Sequence, residues 1–281
     1  MKKKKGRVRT VLIWLMLLIG EGLLLYPMVS NLIIDWRAKK EISAYNEAVA
    51  ASLEAGDGKT GQMLDDARAY NEALLSGEEP VSYDDLLSLT QSMGYVEIPK
   101  IDIYLPIYHG LEEKTLQKGI GHMPESSLPV GGESTHAVLS GHTGLPAAKL
   151  FTDLDQMEEG DVFYIHVMDE VLAYETDQIL VVLPDETDAI RIQKGEDLVT
   201  LLTCTPYGVN SHRLLVRGHR VPYEHKAVGV AAASLEEVKR VITKEKLIWY
   251  GLTALGALLI LIMIIGGIRN SRRRRKMEQS S

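Results

Sequence analysis

The chain lacks a second cysteine. Cys204 is the one thiol in 281 residues, which excludes an intramolecular disulfide and leaves a thiolate zinc site without its ligands. The eight histidines supply no HxH or HxxxH pair, so no metal and no cofactor is expected. Charge is missing from residues 247–268, LIWYGLTALGALLILIMIIGGI, a run long and apolar enough to cross a bilayer. Trp249 and Tyr250 stand at its interfacial end, and Arg269 and RRRRK (272–276) close it. A second apolar run, 11–34, follows MKKKKGRVRT. It contains Glu21, which a span accommodates by protonation. It is longer than the apolar region of a cleaved signal peptide and lacks a clear small-x-small end, so it reads as an uncleaved anchor.

Basic charge is scarce between the two runs. The net charge is −7, the first ten residues carry +6 and residues 269–281 carry +5, which leaves −18 for everything between. By the positive-inside rule both tails, 1–10 and 269–281, belong in the cytoplasm, and the intervening domain lies outside. The expected protein is therefore multi-pass in the cell membrane, with the lipid bilayer as a partner through two transmembrane helices. An acidic outer domain repels phosphate, which argues against nucleic acid and anionic head groups as ligands.

Residues 35–90 read as a helical hairpin or stalk with a lid-like region. Ala, Leu and Glu dominate, the phrase AYNEA occurs at 44–48 and again at 69–73, and GDG at 56–58 interrupts the run. Two copies are too few for a solenoid. From residue 91 to 225 the texture changes to short apolar or alternating runs between Gly, Pro, Asn and Asp, such as YVEIPKIDIYLPIY, DVFYIHV and LVTLLTC. That spacing predicts a mainly β domain, a barrel or a sandwich. A short helix is expected within 147–160. A helical linker, 226–246, precedes the second span, with Ser234 and Glu237 forming a capping box.

Cys204 ends the strand-like run VTLLTC and is followed by the turn composition TPYGVN. Alternation puts Thr200, Leu202 and Cys204 on one face. Folding back about Gly208 and Val209 sets Cys204 opposite Arg213, with Cβ atoms about 5 Å apart. A guanidinium beside sulfur favours the thiolate and is placed to donate hydrogen bonds to an oxyanion, so acyl transfer is the matching chemistry. The Cys-x8-Arg spacing is too long for a phosphatase loop, and a strand-borne cysteine does not fit a papain-like protease. His109, His122, His136, His142, His166, His212, His219 and His225 compete for the acid/base role. Loop placement favours His142, after the apolar run Val138 to Ser140.

TLLTCTPYGVNSHRLLVRGHR resembles the active-site signature of sortases. Its continuation, together with GYVEIPKIDIYLPIYHG, GGESTHAVLSGHTGLPAAKLFTDLD and the two spans, is similar to the pilus-building class C group. The resemblance covers about residues 95–223. It implies a closed sortase-type β-barrel with short helices, preceded by a helical region, and a Gram-positive cell surface. It also implies a cysteine transpeptidase that cuts an LPxTG-like motif between Thr and Gly, holds a thioacyl intermediate and joins pilin subunits through a lysine isopeptide bond. By motif, Cys204 is the nucleophile, His142 the acid/base and Arg213 the oxyanion-binding residue, with Leu202, Thr203 and Thr143 expected to contact substrate. The expected partners are pilins and surface proteins bearing such signals, with a pilin lysine as acceptor. Class C sortases often carry a lid with an Asp-Pro-aromatic triplet. SGEEPVSYDDLL (76–87) has none, which leaves Tyr83 as a candidate lid residue, although an exposed loop tyrosine is the plainer expectation.

Three rival readings follow. A sortase substrate needs LPxTG just before its C-terminal span, and the Leu-Pro pairs here continue as LPIYH, LPVGG, LPAAK and LPDET, all far upstream; that reading is rejected. A tethered, non-catalytic scaffold barrel and a housekeeping-type sortase remain as alternatives.

Overall fold

The computed structural model describes residues 2–78, 82–145 and 148–223. The second span, the linker and the C-terminal tail predicted from sequence lie outside the described residues.

Helix α1 (Lys2–Ala55) runs without a break through the first apolar segment into what the sequence presented as a separate stalk. It is long and apolar enough to cross a membrane. Pro27 sits inside it, as membrane helices tolerate. The GDG interruption falls as expected, and α2 (Lys59–Ser76) follows. α2 ends where Gly77 and Glu78 donate their N–H groups back to the Leu74 and Ala73 carbonyls, the paired bonds that close a helix C-terminus.

These two helices lie against the β domain as a brace. The two AYNEA copies explain how. Tyr45 is buried, donates to the Met93 carbonyl at 3.1 Å and accepts from the Met168 N–H at 2.7 Å. Burial pushes its phenol up to about 12. Tyr70 donates to the Pro124 carbonyl at 2.6 Å, and the adjacent Asn71 makes both amide bonds to Leu128. The repeated phrase thus supplies one tyrosine per helix to tie the brace down.

Eight strands form a closed barrel: β1 (Gly94–Ile98), β2 (Ile103–His109), β3 (Ile120–His122), β4 (Thr135–Ser140), β5 (Val162–Val167), β6 (Glu170–Val182), β7 (Asp197–Thr205) and β8 (His212–Val221). A four-residue helix, α3 (Glu113–Leu116), lies between β2 and β3. The order around the barrel is β1-β2-β3-β4-β7-β8-β6-β5, with β1 closing on β5. Closure leaves no open edge. Inward side chains fill the barrel, including Val96, Ile107, Leu139, Phe163, Ile165, Val199, Leu201 and Val216. The short helix expected within 147–160 is, among the described residues, only the three-residue turn Leu154–Gln156.

Two relationships set up the site. β4 and β7 are parallel neighbours, so their C-terminal ends emerge at the same rim, and β8 runs antiparallel to β7, so its first residues start there. Three segments distant in sequence meet at one end of the barrel.

Candidate active site

β7 alternates as the sequence suggested. Val199 and Leu201 belong to the core, which turns Thr200, Leu202 and Cys204 outward. Cys204 pairs with Arg213 across β7 and β8, the register expected from a turn centred on Gly208 and Val209. Cys204 is part-buried and free. The Arg213 guanidinium donates from one nitrogen to the carbonyls of His212 and Asn210, at 3.1 and 3.3 Å. Among the described residues, those contacts leave its other donors for a ligand.

β4 and β7 are in register at Ser140 and Leu202. The Gly141 N–H extends the ladder by donating to the Leu202 carbonyl at 3.0 Å, so His142 leaves β4 two residues past the pair, at the height of Cys204. Its own carbonyl accepts from the Phe151 N–H at 3.1 Å, which fixes the turn from the other side. Gly144 continues it at φ +72°, where a Cβ would also crowd the Tyr207 ring. Tyr207 and Val209, in the β7–β8 turn, are largely exposed beside the rim.

The residues expected to touch substrate divide. Leu202 shares the outer face with Cys204. Thr203 faces the interior, is 3% exposed, and donates its hydroxyl to the Gly141 carbonyl at 2.7 Å. From there it supports the histidine turn from beneath. Thr143 is also largely buried.

The competing histidines are occupied elsewhere. His122 is fully buried between the Tyr83 hydroxyl and the Ser127 carbonyl, and burial pulls it down to about 4. His136 bridges Thr200 and the Arg191 carbonyl. His109 meets the Leu86 carbonyl, His166 meets Glu97, and His212 meets Ser211. His219 stands 4.0 Å from Asp177. His225 lies outside the described residues. Among the described histidines, His142 is the one with a buried ring nitrogen, Nε2, that makes no hydrogen bond. Glu113 of α3, which sequence reasoning missed, places Oε2 3.3 Å from that nitrogen. Nothing in the local sequence marks it, since a glutamate opening a short helix is ordinary surface composition.

Tyr83 is not an exposed loop residue. Its ring stacks on His122 and packs edge-on to His109, and its hydroxyl accepts from the Gly110 N–H at 3.2 Å. These contacts pin Tyr83 to β2 and β3. Residues 79–81, within the candidate lid stretch, lie outside the described residues. No group of three metal-ligating side chains occurs among the described residues.

Comparison with known proteins bears on the domain as a whole. The family described as "Sortase domain" matches residues 96–221. Sortase D of Bacillus subtilis (strain 168) is 28% identical over 207 residues, which is 73% of this chain and 96% of that protein. Among solved structures, Streptococcus pneumoniae sortase C, studied for catalysis and pilin substrate specificity, is 47% identical with a TM-score of 0.59. The match covers 65% of this chain and 96% of that one. Clostridium perfringens sortase C, solved with the C-terminal cell wall sorting motif, is 46% identical with a TM-score of 0.61, over 66% of this chain and all of that one.

Proposed function

Because the chain belongs to the sortase family of cysteine transpeptidases, we propose that it is a class C, pilus-building member acting on LPxTG-like sorting signals outside the cell. The observation that carries this reading is the meeting of β4, β7 and β8 at one rim, with Cys204 opposite Arg213 and His142 at the same height. The solved relatives whose names mention pilin substrate specificity and a C-terminal cell wall sorting motif support the substrate class.

In this scheme the Cys204 thiolate attacks the Thr carbonyl carbon of the signal, forming a carbon–sulfur bond and an oxyanion. Arg213 N–H groups stabilise that charge. Collapse breaks the Thr–Gly carbon–nitrogen bond, and the His142 imidazolium protonates the departing glycine amine. A lysine amine of a second pilin then attacks the thioester. The now neutral His142 takes the amine's proton, and the Cys204 thiolate leaves as the isopeptide bond forms. Arginine suits the second role because its charge persists at any working pH and its fork offers several donors.

α1 supplies the membrane anchor, and the basic stretches at both ends orient the barrel outward. The test uses the full chain in detergent with a fluorogenic LPxTG peptide and a lysine-bearing acceptor. Cleavage with transfer to lysine, lost in Cys204→Ala, is the expected result. Cleavage that persists in Cys204→Ala contradicts it.

A further inference from the structure

We propose that Glu113 is a positioning residue for His142: its carboxylate fixes the imidazole ring and favours the protonated form needed to release the glycine amine. The proposal rests on the transpeptidase reading for its consequence, although the contact itself does not.

The two oxygens of Glu113 have separate partners. Oε1 accepts from Gln117 Nε2 at 2.8 Å, one helical turn on, which aims the carboxylate. Oε2 is left 3.3 Å from His142 Nε2, inside ion-pair range but off the line of a hydrogen bond. That ring nitrogen is buried and has no other partner among the described residues. A buried N–H without an acceptor is costly, and a carboxylate beside it offsets more of that cost when the ring carries its proton. The Gln117 bond, and then the charge of His142, hold the Glu113 carboxyl below its ordinary range.

The fold delivers this contact through Gly121. Any side chain there would collide with the Gly110 carbonyl and with Leu116 of α3, so the α3 segment seats directly on β3. Gly121 is paired with Ser140, two residues before His142. Register places Cys204 of β7 and Arg213 of β8 on the neighbouring strands, and Lys149 and Asp153, in the segment whose Phe151 N–H meets the His142 carbonyl, pair with each other at 2.7 Å. Among the described residues, Glu113 is the carboxylate within ion-pair range of the ring. Its side chain is 64% exposed, so the coupling should be modest and sensitive to salt.

The experiment titrates His142 by 13C-imidazole NMR in the full-length protein in detergent, without substrate, with the signal assigned by its loss in His142→Asn. Glu113→Gln keeps the shape and removes the charge. The expected result at low ionic strength is a His142 midpoint lowered by about half a pH unit to one unit, a three- to ten-fold change in protonation equilibrium. In 1 M NaCl the difference should shrink. In the pH–rate profile of peptide cleavage, the limb that belongs to His142 moves to lower pH by the same amount, with KM little changed. A midpoint unmoved by Glu113→Gln at low salt overturns the proposal, whatever happens to turnover. A wild-type protein that cleaves no LPxTG peptide would remove the transpeptidase reading, and the NMR titration would still decide the role of Glu113.

Discussion

Thr203 hydrogen-bonds Gly141 across 2.7 Å, and so couples the residue before the nucleophile to the residue before the histidine. The bond is buried, and it connects two strands whose sequence separation is 62 residues. Replacing Thr203 with valine keeps the volume and leaves the Gly141 carbonyl without that donor. We expect a loss of about 1–3 kcal/mol in unfolding free energy. We also expect kcat to fall more than KM rises, because the displaced element is His142 and not a substrate contact. Thr203→Ser should restore most of both. Denaturant melts with steady-state kinetics on the three proteins check this; a pure KM effect would restore the groove assignment.

The guanidinium beside Cys204 should resist conservative replacement. Arg213→Lys keeps the charge but loses the planar fork, and Arg213→Ala loses both. Cleavage by the alanine variant is expected to drop by roughly 10²–10³, the range for removing an oxyanion donor, with lysine recovering a minor part. Full activity in the lysine variant would mean that only charge matters at this position.

How much of this was legible in the sequence follows from which interactions are local. Alternation in LVTLLTC and the turn composition of TPYGVN fix the face of Cys204 and its partner Arg213, because strand period and hairpin register are short-range properties. His142 stood out only weakly among eight candidates, since what separates it from His122 or His136 is the occupancy of each ring by residues far away in sequence. Glu113 and the support role of Thr203 were invisible for the same reason. The role of the AYNEA repeat is not readable locally, because its two tyrosines find partners, Met93 and Pro124, that only barrel closure brings within reach.

Acid should destabilise the barrel through its buried histidines. His122 is pulled down to about 4 by burial, whereas an unfolded histidine titrates near 6.5. Between those values the unfolded chain binds the extra proton, so stability is highest above about pH 6.5 and falls as the pH drops toward 4. The contribution is on the order of 3 kcal/mol at most. His109 and His136, also lowered by burial, act in the same direction. Denaturant midpoints of the full-length protein in detergent at pH 7.5 and pH 5 should differ, and His122→Gln should flatten the difference. An unchanged slope in that variant would assign the acid sensitivity elsewhere.

The brace depends on single hydroxyls. Tyr45→Phe removes the acceptor for the Met168 N–H and the donor to the Met93 carbonyl, both buried. We expect a cost of about 1–3 kcal/mol and faster proteolysis of the α1–barrel contact. Tyr83→Phe, which frees His122 and the Gly110 N–H, should cost less, because its site is only part-buried. Equal and negligible effects would show that apolar packing alone holds the brace.

The central claim is that Cys204 carries the substrate's acyl group. Since the chain has one cysteine, intact-mass spectrometry reads that residue without ambiguity. Full-length protein mixed with an LPxTG peptide and no amine acceptor should gain the mass of the peptide through its threonine, lose it when hydroxylamine or a lysine peptide is added, and show no gain in Cys204→Ala. Peptide cleavage at a measurable rate with no such adduct under rapid quench, or an adduct that persists in Cys204→Ala, would contradict the account.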